Sequence, residues 1–133
     1  MKKGYNIDLE SETKKNSNFR KVLYTAEHSQ LVLMNLKPSD EIGMEKHKEI
    51  DQFFRFEKGK GTVIINGRKQ SVKDGSAVIV PAGSWHNVIN ASKTQNLRFY
   101  TIYSPPDHKD KLVHRTREIA MKTDKEWDGK TTE

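Results

Sequence analysis

The sequence of 133 residues contains no cysteine. That absence excludes disulfides, thiolate nucleophiles, iron–sulfur clusters and cysteine-ligated zinc, so any metal must be held by nitrogen and oxygen atoms. Long apolar runs are missing as well: stretches such as AVIVPA at 77 to 82 fall far short of the roughly 20 residues a membrane-crossing helix needs. No membrane partner is expected. The opening MKKGYNIDLESETKK is basic but has no apolar segment behind it, so it does not read as a secretory signal and a cytoplasmic location is expected. Basic runs longer than a pair, such as Lys2-Lys3 or Arg68-Lys69, are lacking although the net charge is +6. The excess is spread thinly, with 6 basic and 4 acidic residues over 1–30, 11 and 7 over 31–106, and 7 and 7 over 107–133. Nucleic-acid binding wants a basic stripe interleaved with stacking aromatics, and this chain offers none. The charge reads as a lysine-rich surface, able to draw in an anionic small molecule.

What is present is period-2 patterning over most of the middle. QLVLMNL at 30 to 36 stops at Lys37-Pro38-Ser39-Asp40 and reads as a strand. TVII runs into Asn66-Gly67, a strong hairpin signal, and RKQSVKDG follows with its own turn at Asp74-Gly75. SAVIV, the tight connection PAGSWHN and the long LRFYTIYS at 97 to 104 complete the series before Pro105-Pro106. Strands at intervals of about eight to twelve residues indicate an all-β sandwich or small barrel. FRKVLYTA at 19 to 26 reads as an initial strand, 12 to 19 as loop, and 115 to 122 as a short helix before a polar tail expected to fray. Trp127 in that tail is equally readable as docked or mobile.

Candidate ligands cluster in one stretch: Glu45, His47, Glu49 and Gln52, with His86 in PAGSWHN. On an extended strand Glu45, His47 and Glu49 share a face, and Gln52 joins it if the chain turns. Imidazole nitrogens with carboxylate or amide oxygens suit a divalent transition metal, whether Mn, Fe, Ni, Co or Zn. His28, His108 and His114 lack a partner pattern and read as surface or structural residues.

Gly75, Pro81, Gly83, His86 and Asn90 match the second motif of the cupins in full. Glu45, His47, Gln52 and Gly59 keep the frame of the first motif, with glutamate in place of its first histidine and glutamine in place of its glutamate. The chain therefore resembles a small single-domain cupin over roughly residues 28 to 104, and is similar to the stand-alone proteins grouped as cupin 2 or mannose-6-phosphate-isomerase-like. The resemblance implies an all-β double-stranded β-helix, a jelly roll closed into a cupin barrel over 19–106, with short polar extensions over 1–18 and 107–133. It also implies a metal held by Glu45, His47, Gln52 and His86. Exchanging two ligand types conserves the formal ligand charge of minus one but weakens the donor set, since an amide oxygen replaces a carboxylate.

From that frame, Phe54 and Phe56 point inward with Gln52, while Phe53, Arg55 and Glu57 point outward. Cupins pair through such faces or by exchanging an N-terminal strand, so a homodimer is expected. Glu49 is the available acid–base group, and Tyr103 a phenol at the cavity mouth that orients substrate or donates a proton. Trp85 reads as a rim-packing residue. Two functional classes stay open: a metal enzyme acting on a small polar metabolite, extending to a sugar-phosphate isomerase-like enzyme, and a non-catalytic binder of a carbohydrate or hydroxy acid. A domain with a vestigial site is the third reading.

Overall fold

The computed structural model describes residues 1–133. Twelve elements follow in order: α1 (Leu9–Lys15), β1 (Arg20–Thr25), β2 (Gln30–Leu36), β3 (Glu45–Lys46), β4 (Asp51–Lys58), β5 (Gly61–Ile65), β6 (Arg68–Val72), β7 (Ala77–Val80), β8 (Trp85–Asn90), β9 (Leu97–Ser104), β10 (Val113–His114) and α2 (Arg117–Thr123). The strands form a six-stranded sheet, β10-β1-β2-β9-β4-β7, and a four-stranded sheet, β3-β8-β5-β6. All strand pairs are antiparallel.

These sheets correct the expected architecture. No strand of one sheet pairs with a strand of the other, so the closed barrel of a jelly-roll double-stranded β-helix does not form, and the molecule is an open, two-sheet, cupin-like fold. Closure requires every edge to find a partner. Here β3 and β10 are edge strands of two residues each, too short to zip one sheet to the next, and the opposite edge β6 is polar and exposed along most of its length.

Alternation builds the core between the sheets. Phe54 and Phe56 of β4, and Leu97, Phe99, Thr101 and Tyr103 of β9, are buried, while the residues between them are half-exposed. Val63, Val72, Val80 and Val88 meet them from the other strands. Asn66 and Gly67 both adopt positive φ, as a two-residue hairpin turn demands. At Gly59 a Cβ would stand 2.7 Å from the Asn96 carbonyl, so the position is closed to any side chain.

Two local expectations change. Residues 12–15, read as loop, belong to α1, whose polarity hides ordinary helix signals: Asp8 caps it by accepting from Ser11 N at 3.2 Å, acids occupy its first turn, and Lys14 bonds Glu10 one turn back at 2.7 Å. The tail expected to fray runs back along the domain, where Thr132 N donates to Thr25 O at 2.9 Å and the Glu133 carboxylate accepts from Lys3 N, Gly4 N and the Tyr24 hydroxyl. Trp127 is docked and half-buried: its backbone N–H bonds Asp107 O at 3.0 Å and its indole N–H bonds Lys130 O at 2.9 Å.

Candidate metal centre

Glu45 and His86 are direct cross-strand partners on β3 and β8. His47 follows immediately, and its carbonyl accepts from Gly83 N at 2.8 Å, which ties the His47 segment to the Pro81–Gly83 turn. Gly83 has φ +83°, a conformation that glycine adopts without strain, and the turn delivers the chain into β8, so His86 lies in a strand rather than in the turn itself. One carboxylate oxygen of Glu45 lies 3.4 Å from His47 Nε2 and 3.5 Å from His86 Nε2. The potential ligand atoms of Glu45, His47 and His86 all lie within 4.8 Å of one another, a partly buried cluster that could chelate a divalent metal.

Three polar atoms of the expected ligands lack a hydrogen bond, the two imidazole ones facing the Glu45 carboxylate at 3.4 and 3.5 Å. His47 Nε2, His86 Nε2 and Gln52 Oε1 are buried and make no hydrogen bond. Each such atom costs about 1–3 kcal/mol when nothing satisfies it, and a cation bound by the two imidazoles would remove their share of that cost. His86 Nδ1 lies 3.0 Å from the Ser84 carbonyl, which only an N–H can satisfy, so in the neutral ring Nε2 is the atom that carries the lone pair. Gln52 donates its amide to Thr101 Oγ1 at 2.9 Å, leaving the carbonyl oxygen as its open atom. Gln52 belongs to the six-stranded sheet, whereas Glu45, His47 and His86 belong to the four-stranded sheet or its adjoining loop.

Electrostatics separates the carboxylate from the ring beside it. Burial alone would raise the Glu45 carboxyl, but the approach of His47 and His86 outweighs it and holds the group well below the usual carboxylate range. Burial likewise opposes a charge on His47, yet Glu45 and Asp107 overcome that and the repulsion of Arg20, so its pKa is raised.

Other expected site residues lie elsewhere. β3 ends at Lys46, so strand alternation does not carry Glu49 onto the ligand face; Glu49 is exposed on a cleft of about 580 Å³ that His47, Asp107 and Trp127 also line. Tyr103 is only 1% exposed, so it lies beneath His47 rather than at a cavity mouth. Its hydroxyl is 3.1 Å from His108 Nε2, and burial pushes its pKa far up. Trp85 is half-exposed at the rim with the Lys46 ammonium 5.2 Å from its ring centre.

Sequence reasoning passed over Asp107, whose carboxylate faces His47 Nδ1 at 3.9 Å and His108 Nε2 at 3.3 Å. Its one local signal is its place directly after the Pro105-Pro106 stop that ends β9. His108 and His114, assigned to surface or structure, are both buried, with His108 bonded between Tyr103 and Asp124. His28 is exposed.

With this geometry in place, comparison with known proteins gives a consistent answer. The Cupin domain family matches residues 32–103. Protein YrkC of Bacillus subtilis is 42% identical over 125 residues, covering 90% of this chain and 67% of its own, and protein L612 of Acanthamoeba polyphaga mimivirus is 44% identical over 108 residues, covering 78% and 67%. The crystal structure of BH2720 from Bacillus halodurans superposes with a TM-score of 0.87 at 39% identity, covering 91% of this chain and 96% of that one. The chain belongs to the cupin domain family. No helix in it is long and apolar enough to cross a membrane.

Proposed function

We propose that this protein is a metal-binding cupin that holds a divalent transition metal through Glu45, His47, His86 and Gln52 and binds or transforms a small polar metabolite beside it. The observation that carries the reading is the set of three buried atoms without partners, two imidazole Nε2 and one amide oxygen, in the residues that occupy the family's ligand frame. A bound ion would supply Lewis acidity to a ligand oxygen. The chain's own residues would do the rest: the Ser84 carbonyl and Asp107 orient the two rings, and the hydrophobic floor of Phe54 and Tyr103 limits water beneath them.

Glu49 is carried forward as the acid–base candidate from the cleft wall, and Tyr103 as a group acting on the site through its edge-on contact with His47. The grouping with mannose-6-phosphate-isomerase-like proteins, the unit over 19–106 with extensions on either side, the homodimer and the cytoplasmic location are parts of the same reading. The test is metal analysis of the purified protein beside His47→Ala and His86→Ala. The reading expects near-stoichiometric metal in the parent and loss in both variants; retention by both would remove the site assignment.

A further inference from the structure

A second opening reaches the same cluster from the side of Glu45. It is a cavity of about 200 Å³ whose walls include Glu45, Arg20, Arg117, Asp124, Phe19 and Met121. Arg20 comes from β1, where its register partners are Met34 and His114, and Arg117 comes from the first turn of α2 across the gap. Neither arginine lies within residues 32–103, the region matched to the family, so this cavity is a feature of the chain's flanking segments.

Arg20 is the unusual group. It is 6% exposed, and its guanidinium has only partial company: Nη1 lies 3.3 Å from His114 Nδ1 and 3.9 Å from an Asp124 oxygen, while Nε is buried without any hydrogen-bond partner. Asp124 is already engaged, with the same oxygen 3.3 Å from His108 Nδ1, and is about half-exposed. A guanidinium carries five N–H donors and never loses its charge, so burying one with a single loose carboxylate is costly unless an anion completes it. The Phe19 ring, 5.2 Å from the Arg20 guanidinium carbon, shields it on one side and does not supply an acceptor. Arg117 spends its Nε on a 3.4 Å bond to the Ile42 carbonyl, which fixes it over the cavity wall.

We infer that this cavity is an anion subsite, with Arg20 and Arg117 receiving the carboxylate of a small organic acid whose remaining atoms extend toward Glu45 and the metal centre. The inference rests on the reading of Glu45 as a metal ligand and names the ligand class of that site. A planar guanidinium fork matches a carboxylate in bidentate geometry. The Glu45 and Asp124 carboxylates on the same walls favour a single negative charge over the two of a phosphate ester, and Phe19 and Met121 accept a short carbon skeleton.

The test is calorimetric titration of the purified protein with lactate, inorganic phosphate and glycerol, repeated on Arg20→Gln and Arg117→Gln, with metal content measured on each sample. Lactate should bind better than phosphate or glycerol. Each substitution should weaken it about 10- to 100-fold, the range for losing a charge-assisted hydrogen bond, with metal content unchanged. Should Arg20→Gln fail to fold, the partly exposed Arg117→Gln carries the comparison. Lactate binding that is indifferent to both substitutions, or no tighter than that of glycerol, overturns the inference; tighter binding of phosphate overturns its choice of a carboxylate. Arginine-dependent lactate binding in a protein that holds no metal supports the subsite while removing the metal reading, so the two fail separately.

Discussion

Two histidine clusters lie next to each other in this fold and differ in what their ring nitrogens touch. Around Tyr103, both nitrogens of His108 are used, one toward the phenol at 3.1 Å and the other toward Asp124 at 3.3 Å, and His114 meets Arg20 at 3.3 Å. Around Glu45, each of His47 and His86 keeps a buried Nε2 with no hydrogen bond. A satisfied histidine holds elements together, here tying the C-terminal segment to β9, whereas an imidazole whose buried nitrogen faces only a carboxylate beyond hydrogen-bond geometry keeps that nitrogen available to another partner. The difference separates a structural cluster from a candidate ligand cluster without reference to any reaction.

Substitutions should break the two clusters in different currencies. The largest effect is expected from His86→Ala or His47→Ala, which should lower metal affinity by more than the roughly 10- to 100-fold typical of losing an outer-shell partner, as read by competition with a chelator. His108→Ala should leave metal stoichiometry intact and instead destabilise the fold by about 2–4 kcal/mol in urea unfolding, since it strips a partner from the buried Tyr103 hydroxyl and opens a cavity. If His108→Ala also emptied the metal site, the division between the clusters would be lost.

A smaller, graded effect tests whether Gln52 is a ligand. Gln52→Glu replaces the amide oxygen with a carboxylate in the frame position and should tighten divalent metal about tenfold, whereas Gln52→Ala should weaken it by a similar factor, the expected direction for harder oxygen donors. Equal affinities across the three would show that the carbonyl of Gln52 is not a ligand.

pH sharpens the contrast further. The raised pKa of His47 means that the metal-free protein holds a proton there above the ordinary value near 6.5, and an ion must displace it. Apparent metal affinity should therefore rise with pH through and beyond that value and then level off. The metal-free fold should behave in the opposite sense: stabilisation by protonated His47 is fully present below about pH 6.5 and is lost as pH rises through the raised folded value. Glu45, held low, stays ionised across this range. Unfolding curves with and without metal at several pH values check both signs. The smallest effect belongs to Glu49→Gln, which should change metal affinity by less than about twofold because this exposed group lies off the ligand face.

Much of this was legible locally. The strands β2 and β9 coincide with QLVLMNL and LRFYTIYS because apolar runs and turn residues bound them on both sides, and Asn66-Gly67 marks the β5–β6 turn. The ligand frame was readable because motif spacing places Glu45, His47 and His86 in sequence. Sheet closure was not, since it depends on whether distant edges meet, and two-residue strands leave no trace in composition. Arg20 and His114 stand 94 residues apart and meet only through β1–β10 pairing, so no window of sequence relates them. α1 escaped for the opposite reason: its signals were local, but a polar segment with few apolar residues reads as loop unless its cap and charge order are weighed.

The most direct measurement is an anomalous difference map from crystals of the metal-loaded protein, collected at the absorption edge of the ion found by elemental analysis. The account predicts one strong peak about 2.0–2.2 Å from the Nε2 atoms of both His47 and His86, within bonding reach of Glu45. A map with no peak there, and with both Nε2 atoms hydrogen-bonded to protein or water instead, would contradict it.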